Sequence, residues 1–73
     1  MDTRDKIRTK ASIKRIINEH MRVLDDFGIC DKYDHSMRNR MEAAIAAKPD
    51  ADPDFVLELF CRPLIHEKVN SWT

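Results

Sequence analysis

Four side chains in this sequence have the types and spacing that metal chemistry would use. Cys30 and His35 are separated by four residues, and so are Cys61 and His66. Together they would supply four zinc-compatible ligands, and a structural zinc suits a chain too small for a large core. The usual frameworks instead pair cysteine with nearby cysteine and histidine with nearby histidine. On a continuous helix, positions five apart diverge by about 140°, at ~3.6 residues per turn. Convergence would therefore require Cys30 in a loop and a bend at Pro63. Two small buried thiols and two surface or capping histidines explain the same residues more simply. No metal and no cofactor is expected. A Cys30–Cys61 disulfide is conceivable in geometry but belongs to an oxidising compartment.

The inventory for catalysis is thin. The single glycine, Gly28, rules out a glycine-rich phosphate loop, and there is no nucleophile elbow. Ser12, Ser36 and Ser71 stand where short polar residues cap helices or end chains. A triad would need a nucleophile, a histidine and an acid in one preorganised cleft. A bundle of this size rarely opens a pocket of ~300 Å³ or more. The expectation is a non-enzymatic protein with no small-molecule substrate.

Charge offers a second kind of site. Arg4, Arg8, Arg15 and Arg22 recur at spacings of four and seven, and Lys6, Lys10 and Lys14 lie nearby. Phosphate contacts use such residues. However, Arg15 has Glu19 and Arg22 has Asp26 four residues on, so a half-neutralised solvated face is the simpler reading. In a helix-turn-helix, the segment after Pro49 is too apolar and acidic to read base edges. The helix near Asp34, with His35, Arg38, Asn39 and Arg40, is better suited, although the turn before it, Gly28 to Tyr33, exceeds the usual ~3–4 residues. Nucleic-acid binding through Arg4, Arg8, Arg15, Arg22, Arg38 and Arg40 is the second functional expectation.

The elements that would position these residues can be read from periodicity. Ile13, Ile16, Ile17, His20, Met21, Leu24 and Phe27 form one apolar stripe at helical spacing. Gly28 ends that helix in the left-handed C′ position, with Ile29 packing back on Leu24. Asp2 or Thr3 would cap a long version of it, and Ser12 a shorter one. A second helix starts at Asp31 or Asp34, buries Tyr33, Met37, Met41, Ala44 and Ile45, and stops at Lys48-Pro49. Its alanines would admit a close neighbour. Asp52-Pro53 opens a third helix in the preferred order of cap and proline. That helix is apolar nearly all round, so it is either central or half-covered by another chain. Pro63 is expected to break or kink it, with a short fourth helix carrying Leu64, Ile65 and Val69 inward. The tail from Asn70 shows no helical pattern.

The 73 residues form one all-α domain, a bundle of three main helices with a short fourth piece after Pro63, residues 1–10 being a basic arm or helix extension. Thirteen basic residues balance thirteen acidic ones, so bulk charge draws the chain to neither nucleic acid nor anionic lipid. The balance is uneven locally, since residues 1–23 carry seven Lys/Arg against three acids. No secretory signal and no membrane-length apolar run is visible, and two cysteines form no disulfide framework, so a reducing cytosol is expected. Phe55, Leu57, Leu59, Phe60, Leu64 and Ile65 exceed what one face of one helix can bury, and such a surplus marks a partner surface. Trp72 is either an anchor in that surface or a tail aromatic folded over the protein's own core. The expected function is a small regulator, inhibitor or adaptor that binds another protein, with homodimerisation through residues 53–65. Phe55, Leu59, Phe60, Leu64 and Trp72 would supply affinity, and Arg8, Arg15 and Arg22 orientation toward an acidic partner.

Overall fold

The computed structural model describes residues 9–72, which form three helices: α1 (Lys10–Asp26), α2 (His35–Ala47) and α3 (Pro53–Ser71). Each helix starts on a side chain that accepts a backbone N–H. Thr9 Oγ1 accepts from Ser12 N at 3.1 Å, Asp34 Oδ1 from Met37 N at 3.0 Å, and Asp52 Oδ1 from Asp54 N at 3.0 Å. These bonds satisfy donors that the first turn of a helix leaves free. Asp34 and Asp52 are caps that the sequence identifies. For α1 the cap is Thr9, and Ser12 is a donor in the first turn it stabilises. Asp2 and Thr3 lie outside the described residues.

The stop of α1 follows its sequence signal. Gly28 has φ +72°, Gly28 N donates to Asp25 O at 2.9 Å and Ile29 N to Leu24 O at 2.9 Å. This pair of bonds is the Schellman ending. A Cβ at Gly28 would lie 3.9 Å from Lys68 Cε, an ordinary contact, so glycine is needed here for its backbone freedom rather than for space. Ile29 packs against the core, closing the turn. The chain then turns on Asp31, whose Oδ1 accepts from Tyr33 N and whose carbonyl accepts from Asp34 N. Because α2 starts only at His35, Tyr33 falls in this turn and is 67% exposed, with Lys32 Nζ over its ring. The expected burial of Tyr33 is thus corrected: its place precedes the helix whose face it would have shared.

The three helices pack against one another around a single apolar cluster. Ile16, Ile17, Met21 and Leu24 come from α1, Met37, Met41 and Ile45 from α2, and Val56, Leu57 and Cys61 from α3. His20 meets Asp54 near the start of α3 and Phe27 meets Trp72 at its end, so α1 and α3 run in the same sense. The end of α2, at Ala44 and Ala47, faces Val56 and Phe60 early in α3, so α2 runs against it.

The second correction concerns α3. It continues through Pro63 to Ser71 as one helix, with no separate fourth segment and no unstructured tail from Asn70. Proline removes the bond that Leu59 O would accept. Pro63 and Leu59 are both exposed, so the orphaned carbonyl lies on the solvated side, where water can satisfy it and helices tolerate strain best. Leu64 and Ile65 pack against the core as expected, but Val69 stays 39% exposed.

Pro63→Ala should therefore stabilise the protein. Restoring an N–H and relieving the ring clash is worth up to ~3 kcal/mol, offset by up to ~1 kcal/mol of regained unfolded-state freedom. A rise of about 2 kcal/mol in urea unfolding is expected. A loss would mean that the ring makes a packing contact the helix needs.

Candidate functional site

The zinc-compatible residues do not assemble. Cys61 is buried in the core of α3, and Cys30, half-buried in the loop after α1, lies close enough for its charge to affect Cys61. His35 is exposed at the first position of α2, and His66 is exposed on α3 beside Asn70. With α3 continuous, the bend that would turn His66 toward Cys61 is missing. Among the described residues no group of three or more His, Cys, Asp or Glu side chains is placed to hold a metal ion.

Both thiols are free, and both are driven toward the protonated form. Burial pushes the Cys61 thiol up from its ordinary 9.0 to about 11, with the charge of Cys30 adding to it. Burial also raises Cys30, helped by the carboxylates of Asp34, Asp25 and Asp31. A nucleophilic cysteine requires the opposite shift. Cys61 shares a groove of about 400 Å³ between α1 and α3 with His20 and His66, but no hydrogen bond joins it to either.

His20 carries a contact that sequence reasoning missed. On the stripe of α1 it reads as one more buried position. Its Nε2 lies 2.7 Å from Asp54 Oδ1, tying the middle of α1 to the first turn of α3. A carboxylate at a helix N-terminus is favoured by the helix dipole. The pair spans 34 positions of sequence, and no local pattern announces it.

The arginines separate. Arg15 and Arg22 are exposed on the outer side of α1, and Arg4 and Arg8 lie outside the described residues. Arg38 and Arg40, two positions apart, point to opposite sides of α2, as a rotation of ~100° per residue requires. Arg38 Nη2 donates to Lys32 O at 2.9 Å, whereas the Arg40 guanidinium sits 5.4 Å from the centre of the Phe60 ring. The ion pairs expected from Arg15 to Glu19 and from Arg22 to Asp26 do not form among the described residues. The i,i+4 pair that does form is Glu58–Arg62 at 3.2 Å. It has the acid N-terminal to the base, the order that the helix favours, and the other two have the reverse.

The apolar residues of α3 divide into two places. Phe55 is 52% and Leu59 40% exposed. Leu59 joins the half-buried Phe60, the buried Val56, Ala44 and Ala47 of α2 and the cap residue Lys48 around a shallow groove of about 280 Å³. The alanines leave this groove open, since a methyl group is too small to fill it. Leu64 is half-buried against the core. Trp72 is at the far end of α3, about 25 Å from Phe55 at 1.5 Å per residue. Its ring stacks on Phe27 with centroids 5.9 Å apart and planes at 16°. Trp72 thus closes the protein's own bundle while remaining 59% exposed.

The expectation that no pocket above ~300 Å³ opens in so small a bundle does not hold. Besides the α1–α3 groove, one of about 620 Å³ lies between α1 and α2. Among the described residues no helix is long and apolar enough to cross a membrane. The chain matches no family model, no curated protein and no solved structure.

The raised Cys61 pKa has a consequence for stability. The folded protein holds this proton more tightly than the unfolded chain, so its contribution is complete below pH 9.0 and is lost as pH rises to about 11. The urea midpoint should fall across that window, and fall less steeply in Cys61→Ala. The difference between the two proteins is the informative quantity, because any change common to both cancels in it. Identical slopes would show that burial does not perturb this thiol.

Proposed function

We infer that this protein is a non-enzymatic regulator, inhibitor or adaptor that acts by binding another protein through the face shared by α2 and α3. The observation that carries this reading is the exposure of Leu59 in the groove lined by Ala44, Ala47 and Phe60, with the exposed Phe55 one turn before it on α3. Covering two half-exposed large side chains would contribute roughly 2–3 kcal/mol. That is a large amount beside the ~3–5 kcal/mol a core of this size usually supplies. Arg40 lies over the Phe60 ring and Lys48, just past the end of α2, lines the groove, so an approaching acidic surface would be oriented as well as held. Trp72 is better assigned to holding α1 and α3 together than to this interface. Two unpaired thiols suit a reducing compartment such as the cytosol.

A second copy of the chain is one candidate partner, since a protein with no net charge meets little repulsion from itself. Light scattering across a concentration series decides that point: homodimerisation through this face predicts a mass that doubles with concentration and stays monomeric in Phe55→Ser/Leu59→Ser. Capture from native cells with both proteins side by side tests the wider reading. A partner held by the natural chain and lost by the variant is the expected result. Identical catches, together with monomers at every concentration, would sink the assignment of this face. Binding to duplex DNA that falls steeply with salt would support the phosphate-binding reading instead.

A further inference from the structure

The groove between α1 and α2 is a different surface, with a chemistry of its own. None of its lining residues comes from α3. Its floor is apolar, made by Ala11, Ile13 and the buried Ile17, and Lys10, Lys14 and Arg38 stand around it with Glu42 as the single acid among the described residues that line it. Three cations against one carboxylate leave a surplus of two positive charges over an apolar trough. Lys10 and Lys14 have no ion-pair partner among the described residues, and Arg38 forms none with Glu42, four residues on. Arg38 is also held in place, because its Nη2 donates to the Lys32 carbonyl at 2.9 Å. A guanidinium already fixed loses less freedom when it meets a carboxylate, and its remaining donors stay available for one.

We propose that this groove docks an acidic amphipathic helix of a partner protein, which lies against α1 and α2 on the side away from α3. Two packed helices with an empty trough between them form a seat for another helix. The seat from Lys10 to Ile17 runs about 10 Å, the rise of two helical turns, so apolar anchors at i, i+3 or i+4 and i+7 would reach Ile13 and Ile17. Carboxylates flanking those anchors would meet Lys10, Lys14 and Arg38. The apolar floor makes a phosphate backbone a poorer occupant, since it has no surface for Ile13. This site is separate from the α2–α3 face and stands whether or not that face binds anything.

A fluorescein-labelled amphipathic peptide of about 18 residues, long enough for measurable helicity, is a suitable probe. It would carry leucines on one stripe and glutamates on both flanks, and a matched control would carry lysines for the glutamates. Fluorescence anisotropy with the full chain should show saturable binding of the acidic peptide only, weakening as salt rises. Lys14→Glu and Arg38→Glu should each weaken it by about tenfold, and Phe55→Ser/Leu59→Ser should leave it unchanged. Lys14 is exposed and outside the core, so its variant folds and keeps the test meaningful, with circular dichroism as the check. Absence of saturation, equal binding of the lysine control, or loss only in the α3 variant would overturn the proposal. So would binding of duplex DNA, but not peptide, through the same residues.

Discussion

Met21, Leu24, Met41 and Leu57 are fully enclosed, and the fold depends on keeping these four side chains dry. Two come from α1, one from α2 and one from α3, so removing any helix would expose the residues of the others. A protein this short has no second core to fall back on. The methionines suit their place, since an unbranched thioether fills the irregular gap where three helices meet. The caps at Thr9, Asp34 and Asp52 and the turn at Gly28 serve the same end. They set where each helix starts and stops, and so which of its turns face the others.

Keeping one such layer dry leaves the outer sides of the helices uncovered, and these differ in character. The helix α2 is where the difference is clearest. On one side Arg40, Ala44, Ala47 and Lys48 border the apolar surface of α3, and on the other Arg38 and Glu42 border the cationic groove against α1. Two such sides on one short helix give the bundle two outer surfaces of different chemistry. The α1–α3 seam keeps a groove beside Cys61 and is bridged by contacts of its own, His20 with Asp54 and Phe27 with Trp72. These contacts resist splaying at two separate levels of the bundle.

Candidate sites were legible in the sequence to very different degrees. The surplus of apolar residues on α3 was read from composition, a local property, but of the six residues only Phe55 and Leu59 are exposed, because Leu57 is buried in the core and Phe60, Leu64 and Ile65 pack against it. Trp72 was ambiguous, because one aromatic near a terminus carries no periodicity to say which way it turns. The cationic groove was invisible as a unit. Lys10 and Lys14 belong to one helix and Arg38 to another, and only the packing angle brings them to one trough. The His20–Asp54 contact was hidden for the same reason. Burial also decided the character of Cys61, since the core built by three helices favours its protonated form.

What the sequence determined by itself was the set of helix ends and the buried stripe of α1, because capping, proline and glycine effects act within a few residues. Asp34, Asp52-Pro53, Gly28 and Lys48-Pro49 each mark a boundary that the structure keeps. Only the tertiary structure decided what happens at Pro63. Proline's local preference is to end a helix, but here the bond it removes belongs to an exposed carbonyl while Cys61, Leu64 and Ile65 are held against the core on the other side. Packing along the whole length of α3 outweighs one missing hydrogen bond, and the helix runs on to Ser71.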